Sequence, residues 1–417
     1  MQFFSPLEYL MIDVANNFGL DKKTWGERLT WFIDRASLFL TQPMDKITTF
    51  AKDAKEPAQF VAGVMAYRDA MNDQPIGYAC SLDATASGLQ ILSALSGCRE
   101  SAKTCNLVNY DDDRKDAYEV VYEEMQRRLG TDNPICPQQL KKAVMTHLYG
   151  SKRQPKNAFG EDTPELAMFY KVLDDMLPGA NALNKDLLAL WNPETFAHEW
   201  TLPDGFNVVV KVMDTIEHEV TFLGETYVVP EKVNQPMQKG LSLGANIVHS
   251  IDGMVVREMG RRCNFDPGKS LEAFMLLMDK FKKDKEIPYH AQNHDDLSLV
   301  RAEDLWRETK FCSLVAVEYI NKQNVSLISK EYASALLETM RSTPETPFPL
   351  LAVHDCFRFH PRYGNDVRQQ YINIMTEIAE SEILSSIASQ LKERTITVNK
   401  KTNDLGEYIR KAEYLLS

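Results

Sequence analysis

Over residues 1 to about 75 the apolar positions recur at intervals of three and four, predicting helices over Pro6–Asn17, Thr24–Phe39 and Pro57–Asn72, with Asp21 and Thr24 as start signals. Ile76–Leu82 reads as a strand. Helical periodicity returns over Asp113–Leu129, ends at Gly130, and resumes over Gln138–Tyr149. A loop rich in Gly, Lys, Pro and Asn then runs to Gly160, and further helix extends from Pro164 to about Leu190. From Trp200 the period shortens. Leu202-Pro-Asp-Gly205 is a turn, Asn207–Met213 a strand, and Glu219–Leu223 with Glu225–Val229 a hairpin about Gly224. Leu243–Met259 is helical again, and residues 263–345 are mostly helical and polar. After Pro344-Glu-Thr-Pro-Phe-Pro349, an apolar run enters His354-Asp355 and leaves with alternating aromatics, predicting a β-hairpin with a carboxylate at its tip. A long helix over Asp366–Leu391 and the segment Leu405–Ser417 complete an α+β pattern in which a few strands, distant in sequence, carry the chemistry.

Composition narrows the class. At 417 residues, 44% hydrophobic and 25% charged, the chain can bury a large core, and its length allows two or three domains. It has no apolar run long enough for a membrane span and no signal-peptide pattern, so a cytoplasmic protein is expected. Seven scattered cysteines form no Cys-x-x-Cys pair, which disfavours zinc ribbons and disulfide frameworks. A net charge of −12 argues against whole-surface nucleic-acid binding but allows a local basic channel. Lys141, Lys142, Lys152, Arg153 and Lys156 supply such a run, with no acid between Lys141 and Gly160.

Two aspartates, Asp83 and Asp355, stand where predicted strands end. Either alone reads equally well as a loop-edge residue. Between them lies a helix on which Lys141, Met145 and Tyr149 share one face. At helical rise, Lys141 and Tyr149 stand roughly 12 Å apart, enough for one to hold phosphates while the other reaches a sugar or base. Gly150 removes a side chain where a template base would approach. Together these are the parts that template-directed nucleotidyl transfer needs, with carboxylates holding two Mg²⁺ ions that neutralise the triphosphate and activate the 3′-oxygen. Competing constellations are thin. His290 and His294 with Asp295 have metal spacing but sit in a polar, Pro288-containing loop, and there is no phosphate-binding glycine loop or local nucleophile signature.

Asp83-Ala-Thr-Ala-Ser-Gly-Leu-Gln90, Lys141-x-x-Val-Met-Thr-x-x-Tyr-Gly-Ser-Lys152 and Val353-His-Asp-Cys-Phe357 occur in the order found in the single-subunit RNA polymerases of bacteriophages and mitochondria, and the chain resembles that family. Trp200-Thr-Leu-Pro-Asp-Gly-Phe206 and Asn246-Ile-Val-His-Ser-Ile-Asp-Gly253 are two further ordered matches. Fainter similarity runs from about Tyr9 through Asn106 and along the tail from Gly406. The resemblance implies a right-hand fold with palm and fingers: palm over 1–98, fingers over 99–249 with a specificity-type hairpin near 208–230, and palm again over 250–417 with an inserted helical block near 263–345. It implies that Asp83, Asp355 and the Ala84 carbonyl ligate the two Mg²⁺ ions. Lys141 would contact the triphosphate, Tyr149 would guard the ribose and template position, and His354 and Gly88 would border the substrate. Gly150, Ser151, Lys152, His249 and Ser250 would face nucleic acid. The hairpin corresponds to one that enters the DNA groove in promoter-specific relatives.

Related DNA polymerases carry Glu five residues after the first Asp, excluding the ribose 2′-OH. Here Gly88 leaves that space open, favouring ribonucleotides. Three departures stand out. The family's arginine before the helix lysine falls on Pro137, leaving Lys142 as the candidate replacement; about eighty residues are inserted at 263–345; and the family's N-terminal domain and thumb are missing. The sequence therefore reads as the large subunit of a heterodimeric podophage RNA polymerase, acting in the cytoplasm of an infected bacterial host. Its partners would be DNA template, RNA product, a second subunit carrying the thumb and N-terminal part, and a single-stranded-DNA-binding or promoter-recruiting factor, with no membrane. An engineered fragment would read the same way. The alternatives are a DNA polymerase or primase of the same palm architecture, and a non-catalytic nucleic-acid-binding module derived from a polymerase.

Overall fold

The computed structural model describes residues 1–109, 114–130, 135–282 and 289–417. Its strands are β1 (Cys80–Asp83), β2 (Ala197–Thr201), β3 (Asn207–Lys211), β4 (Met213–Phe222), β5 (Glu225–Asn234), β6 (Leu351–Val353) and β7 (Cys356–Phe359). They form an antiparallel sheet ordered β1-β7-β6 and two separate ribbons, β2-β3 and β4-β5. Helices pack around the β1-β7-β6 sheet, so the chain is α+β.

The small central sheet owes its place to alternation. Cys80 and Leu82 on β1, with Phe357 and Phe359 on β7, are buried, whereas Ser81, Asp83, Cys356 and Arg358 occupy the other face. Tyr9, on the Pro6–Ala15 helix, packs edge-on against Phe359. The free edge of β1 is closed by a side chain: Asp13 accepts hydrogen bonds from the Ser81 backbone N–H at 2.8 Å and the Tyr78 hydroxyl at 2.6 Å. Burial pushes the Asp13 carboxyl up to about 6 despite these donors.

Several expected elements are divided, each for a local reason. The Thr24–Phe39 expectation becomes Trp25–Ile33 and Ala36–Thr41, because the chain leaves helical geometry at Arg35. Pro164–Leu190 splits at Leu177-Pro178, since Pro178 cannot continue the preceding hydrogen-bond ladder. Asp366–Leu391 splits at Ser381, whose backbone is extended and whose hydroxyl bonds Ile378 O. The segment expected as a loop through Gly160 contains a short helix, Arg153–Phe159, with Gly160 at its end in the left-handed region. Strand β1 starts only at Cys80, and β4 and β5 run ten residues each, longer than the expected hairpin. The helix expected from Asp113 is seen over Ala117–Leu129; Asp113 itself, like Pro288, lies outside the described residues.

The main core runs from Phe4 to Leu416. A smaller second core joins Ala273, Leu277, Leu299, Tyr332, Leu336 and Met340, so much of the 263–345 segment packs on itself. Among the described residues, no helix is long and apolar enough to cross a membrane.

Candidate active site

Asp83 pairs in register with Cys356, and Val353 pairs with Cys356 across the next strand, so His354-Asp355 forms the two-residue turn between β6 and β7. Tight hairpins of this kind require positive φ in the turn, and His354 supplies it at 56°. Histidine is among the non-glycine residues that visit this region more readily. Beyond Asp83, the Ala84 N–H donates to the Asp355 carbonyl at 3.1 Å, which ties the two aspartate-bearing turns together. The C-terminal segment continues this pairing: Thr85 N–H donates to Leu415 O, and Ser417 N–H donates to Asp83 O at 2.9 Å. Gln90, fully buried on the Ser87–Ser96 helix, locks the arrangement. Its amide donates to the Thr85 hydroxyl and to the Cys105 and Leu415 carbonyls, and its carbonyl accepts from Tyr371.

Asp83, Asp355, Ala84, Gly88, Lys141 and Tyr149 all line one cavity of about 330 Å³. An adjoining cavity of about 470 Å³ shares Asp83, Ala84 and Lys141 and adds Lys22, Lys55, Arg114 and Arg358 to its walls. Partial burial, then the charge of Asp355, raises the Asp83 carboxyl above its ordinary value, while the Cys356 thiol bonded to it pulls the other way. Asp252 is pushed up to about 6 by burial and then by Asp355, with a hydrogen bond from Ser87 opposing. Carboxyls raised by a neighbouring carboxylate's charge are relieved by a cation placed between them. Among the described residues, no three His, Cys, Asp or Glu side chains come together as a metal cluster. A Mg²⁺ ion held by two carboxylates fits this donor set, because Mg²⁺ usually keeps waters and takes substrate phosphates as further ligands.

The Pro137–Leu148 helix begins with a proline, which has no N–H to leave unpaired. Leu140, Ala143, Val144 and His147 anchor its buried side, leaving Lys141 and Met145 exposed towards the cavity. The Lys141 ammonium lies 5.2 Å from the Tyr118 ring centroid, a cation–π contact that steadies it. Tyr149 follows the helix and stacks on His249, with centroids 4.7 Å apart and planes at 17°. Its hydroxyl reaches Gly88: a Cβ there would lie 2.6 Å from the Tyr149 oxygen.

Other expected residues are placed differently. Lys142 is exposed and lines neither cavity; the cations that do so beside Lys141 come from distant segments. Gly150 has φ of 85°, and a Cβ would lie 2.5 Å from Leu241 O, so packing as well as backbone conformation requires glycine there. The Ser250 hydroxyl accepts from the Trp200 indole and donates to Ile247 O, which gives it a structural task. Ser151 accepts from the Gln154 N–H, and Lys152 is exposed at the start of the following helix. His290 precedes the His294–Thr309 helix and shares no helical face with His294.

Sequence reasoning gave no role to Asp252, to Gln90 or to Leu415–Ser417. The first two lie within matched motifs, so their presence there was the available signal. The tail's pairing with Asp83 has no local signature.

A second cavity of about 470 Å³ lies between the Leu243–Cys263 helix and the inserted block. Asp266 and Glu318 line it, and Arg257 and Arg261 on its wall are already bonded to buried Asp204. No curated protein shows significant similarity to the chain. The DNA-dependent RNA polymerase family model matches residues 5–159, a span that holds Asp83, Gly88, Lys141 and Tyr149 and ends before Asp355.

Proposed function

We propose that the chain is the catalytic subunit of a DNA-directed RNA polymerase, adding ribonucleotides to an RNA 3′ end. The observation that carries this reading is the pairing of β1 with β7, which brings Asp83 beside the Asp355 turn at the mouth of the cavity that also holds Lys141 and Tyr149. Asp83 and Asp355, with the Ala84 carbonyl, would hold two Mg²⁺ ions; the ions would neutralise phosphate charge and lower the pKa of the attacking hydroxyl. Lys141 presents its ammonium to the triphosphate. Arg114 and Arg358 on the adjoining wall, where Lys22 and Lys55 are paired with Asp116 and Asp21, favour the same polyanion and stand in for the family arginine displaced by Pro137. Tyr149, held by His249, borders the ribose, and its hydroxyl, not a side chain at position 88, fills the space beside Gly88.

In this reading residues 1–98 and 250–417 form the palm and 99–249 the fingers. A second subunit supplies the thumb and template-holding functions. The test is extension of an RNA primer on single-stranded DNA, comparing rNTPs with dNTPs. Wild type should extend with rNTPs and Mg²⁺. Asp83→Ala and Asp355→Ala should lose at least about a thousandfold, the scale of several kcal/mol of transition-state stabilisation, with circular dichroism unchanged. Retained activity in either variant would remove that aspartate from the site, and preference for dNTPs would favour a DNA polymerase.

A further inference from the structure

The β4-β5 ribbon pairs with no other strand among the described residues. Ten residues per strand make it roughly 30 Å long. Its two faces differ. One carries Ile216, Val220, Phe222, Tyr227, Val229 and Val233, with Asp214, His218, Glu225 and Glu231 set among them, as fixed by the pairings Val220↔Tyr227, Phe222↔Glu225, Ile216↔Glu231, His218↔Val229 and Asp214↔Val233. Ile216 and Val233 at the root are half-buried, whereas Val220, Phe222, Tyr227 and Val229 are exposed. Isolated two-stranded ribbons are marginal in water, and an exposed apolar face of this kind marks an interaction site.

The tip breaks a local rule. Leu223 and Gly224 both take positive φ, the turn that normally selects Asn-Gly, yet the first position holds leucine, and it is 88% exposed. A β-turn gains nothing from this leucine, but a contact made by its side chain does.

Charge selects the kind of partner. Residues 213–234 contain Asp214, Glu217, Glu219, Glu225 and Glu231 against a single lysine, Lys232. His218 is bonded to Glu231, and Lys232 lies on the face opposite the apolar one. A ribbon entering a DNA groove passes between phosphate rows carrying about one charge per 1.7 Å of helix axis, and these carboxylates oppose that approach. We infer that the ribbon is a protein-docking arm, which takes a basic polypeptide surface with an apolar cleft instead of a duplex groove. The inference deepens the two-subunit reading by naming the face that a partner chain meets.

The test uses the full chain and a phage-displayed random peptide library, with duplex and single-stranded DNA as separate probes. One variant carries Val220→Thr, Phe222→Thr, Tyr227→Thr and Val229→Thr, which keep strand propensity; another carries Glu225→Gln and Glu231→Gln. Selected peptides should be rich in Lys or Arg interleaved with aromatic or aliphatic residues. Each variant should bind them at least about tenfold more weakly, as when an interface anchor is truncated. DNA affinity and its salt dependence should be the same in all three proteins. Failure to recover ribbon-dependent peptides, selection of acidic ones, or loss of DNA affinity in the threonine variant would overturn the inference. Primer extension, measured in parallel, reports on the polymerase reading separately, so the two can fail independently.

Discussion

Gly88 and Tyr149 share one small volume. A methyl at position 88 would meet the Tyr149 hydroxyl at 2.6 Å, a contact that forces the ring or the Ser87–Ser96 helix to move. Gly88→Ala should therefore cost about 1–3 kcal/mol of overpacking, seen as a lower kcat/KM for rNTPs. Tyr149→Phe removes the opposing oxygen, so the double variant should recover part of that loss. Additive losses in the double-mutant cycle would show that the two positions act apart. Asp83 makes a second claim at this scale. Its folded pKa is raised by burial and by Asp355, so the folded chain binds the proton more readily than the unfolded chain. This contribution is present below the unfolded value and is lost as pH rises through the folded one. Without divalent cation at neutral pH, Asp83→Asn should melt at a higher temperature than wild type, and the difference should close in acid. Mg²⁺ should raise the wild-type melting temperature and leave the variant's unchanged. A wild type indifferent to Mg²⁺ would place the metal elsewhere.

Between elements, Gln90 links the loop after Asp83, the Cys105 carbonyl, the tail at Leu415 and the helix bearing Tyr371. Gln90→Leu keeps the volume but strands several buried partners. A loss of about 2–4 kcal/mol is expected from those unsatisfied groups, read by urea unfolding, with faster amide exchange at Leu415–Ser417. Unchanged exchange there would mean that the tail is held by its strand pairing alone. This network also marks what the sequence could and could not show. The His354-Asp355 hairpin, the Lys141–Tyr149 face and the alternation that buries Phe357 and Phe359 were legible, because period and turn chemistry are local. The division of the Pro164–Leu190 helix was legible in principle at Pro178, but the break at Arg35 carries no proline or glycine to mark it. The positions of Lys22, Lys55 and Arg114 beside Lys141 were not legible, since nothing local brings those segments together. The packing reason for Gly150 was not legible either: its positive φ and the approach of Leu241 O depend on a distant segment.

Across the whole molecule, the two cores meet at a buried ion network. Arg262, at the end of the Leu243–Cys263 helix, is fully buried and donates to Glu377 at 2.6 and 2.8 Å and to Cys312 O at 3.3 Å. Glu258, also fully buried, accepts from the Ser313 hydroxyl and the Leu314 N–H of the inserted segment and pairs with Arg261 at 2.9 Å. Burial holds the Glu377 carboxyl above its ordinary value, and Arg262 pulls it back towards ionisation. Arg262→Met fills much of the same space but leaves Glu377 and Glu258 without that cation. Breaking a buried pair from one side typically costs about 3–5 kcal/mol, and that loss is expected near pH 8. At lower pH the sign of the correction follows from the carboxyl. With the arginine gone, the folded pKa of Glu377 rises further, the folded variant takes up a proton that the unfolded chain holds less tightly, and the variant gains stability relative to wild type. The gap between the two proteins should therefore narrow from pH 8 to pH 5 in urea unfolding. Calorimetry at pH 8 should split the variant's transition, with the segment around Leu299 and Leu336 melting first. A gap that stays constant with pH would assign Arg262 to packing, and a single unsplit transition would mean that apolar contacts alone couple the two cores.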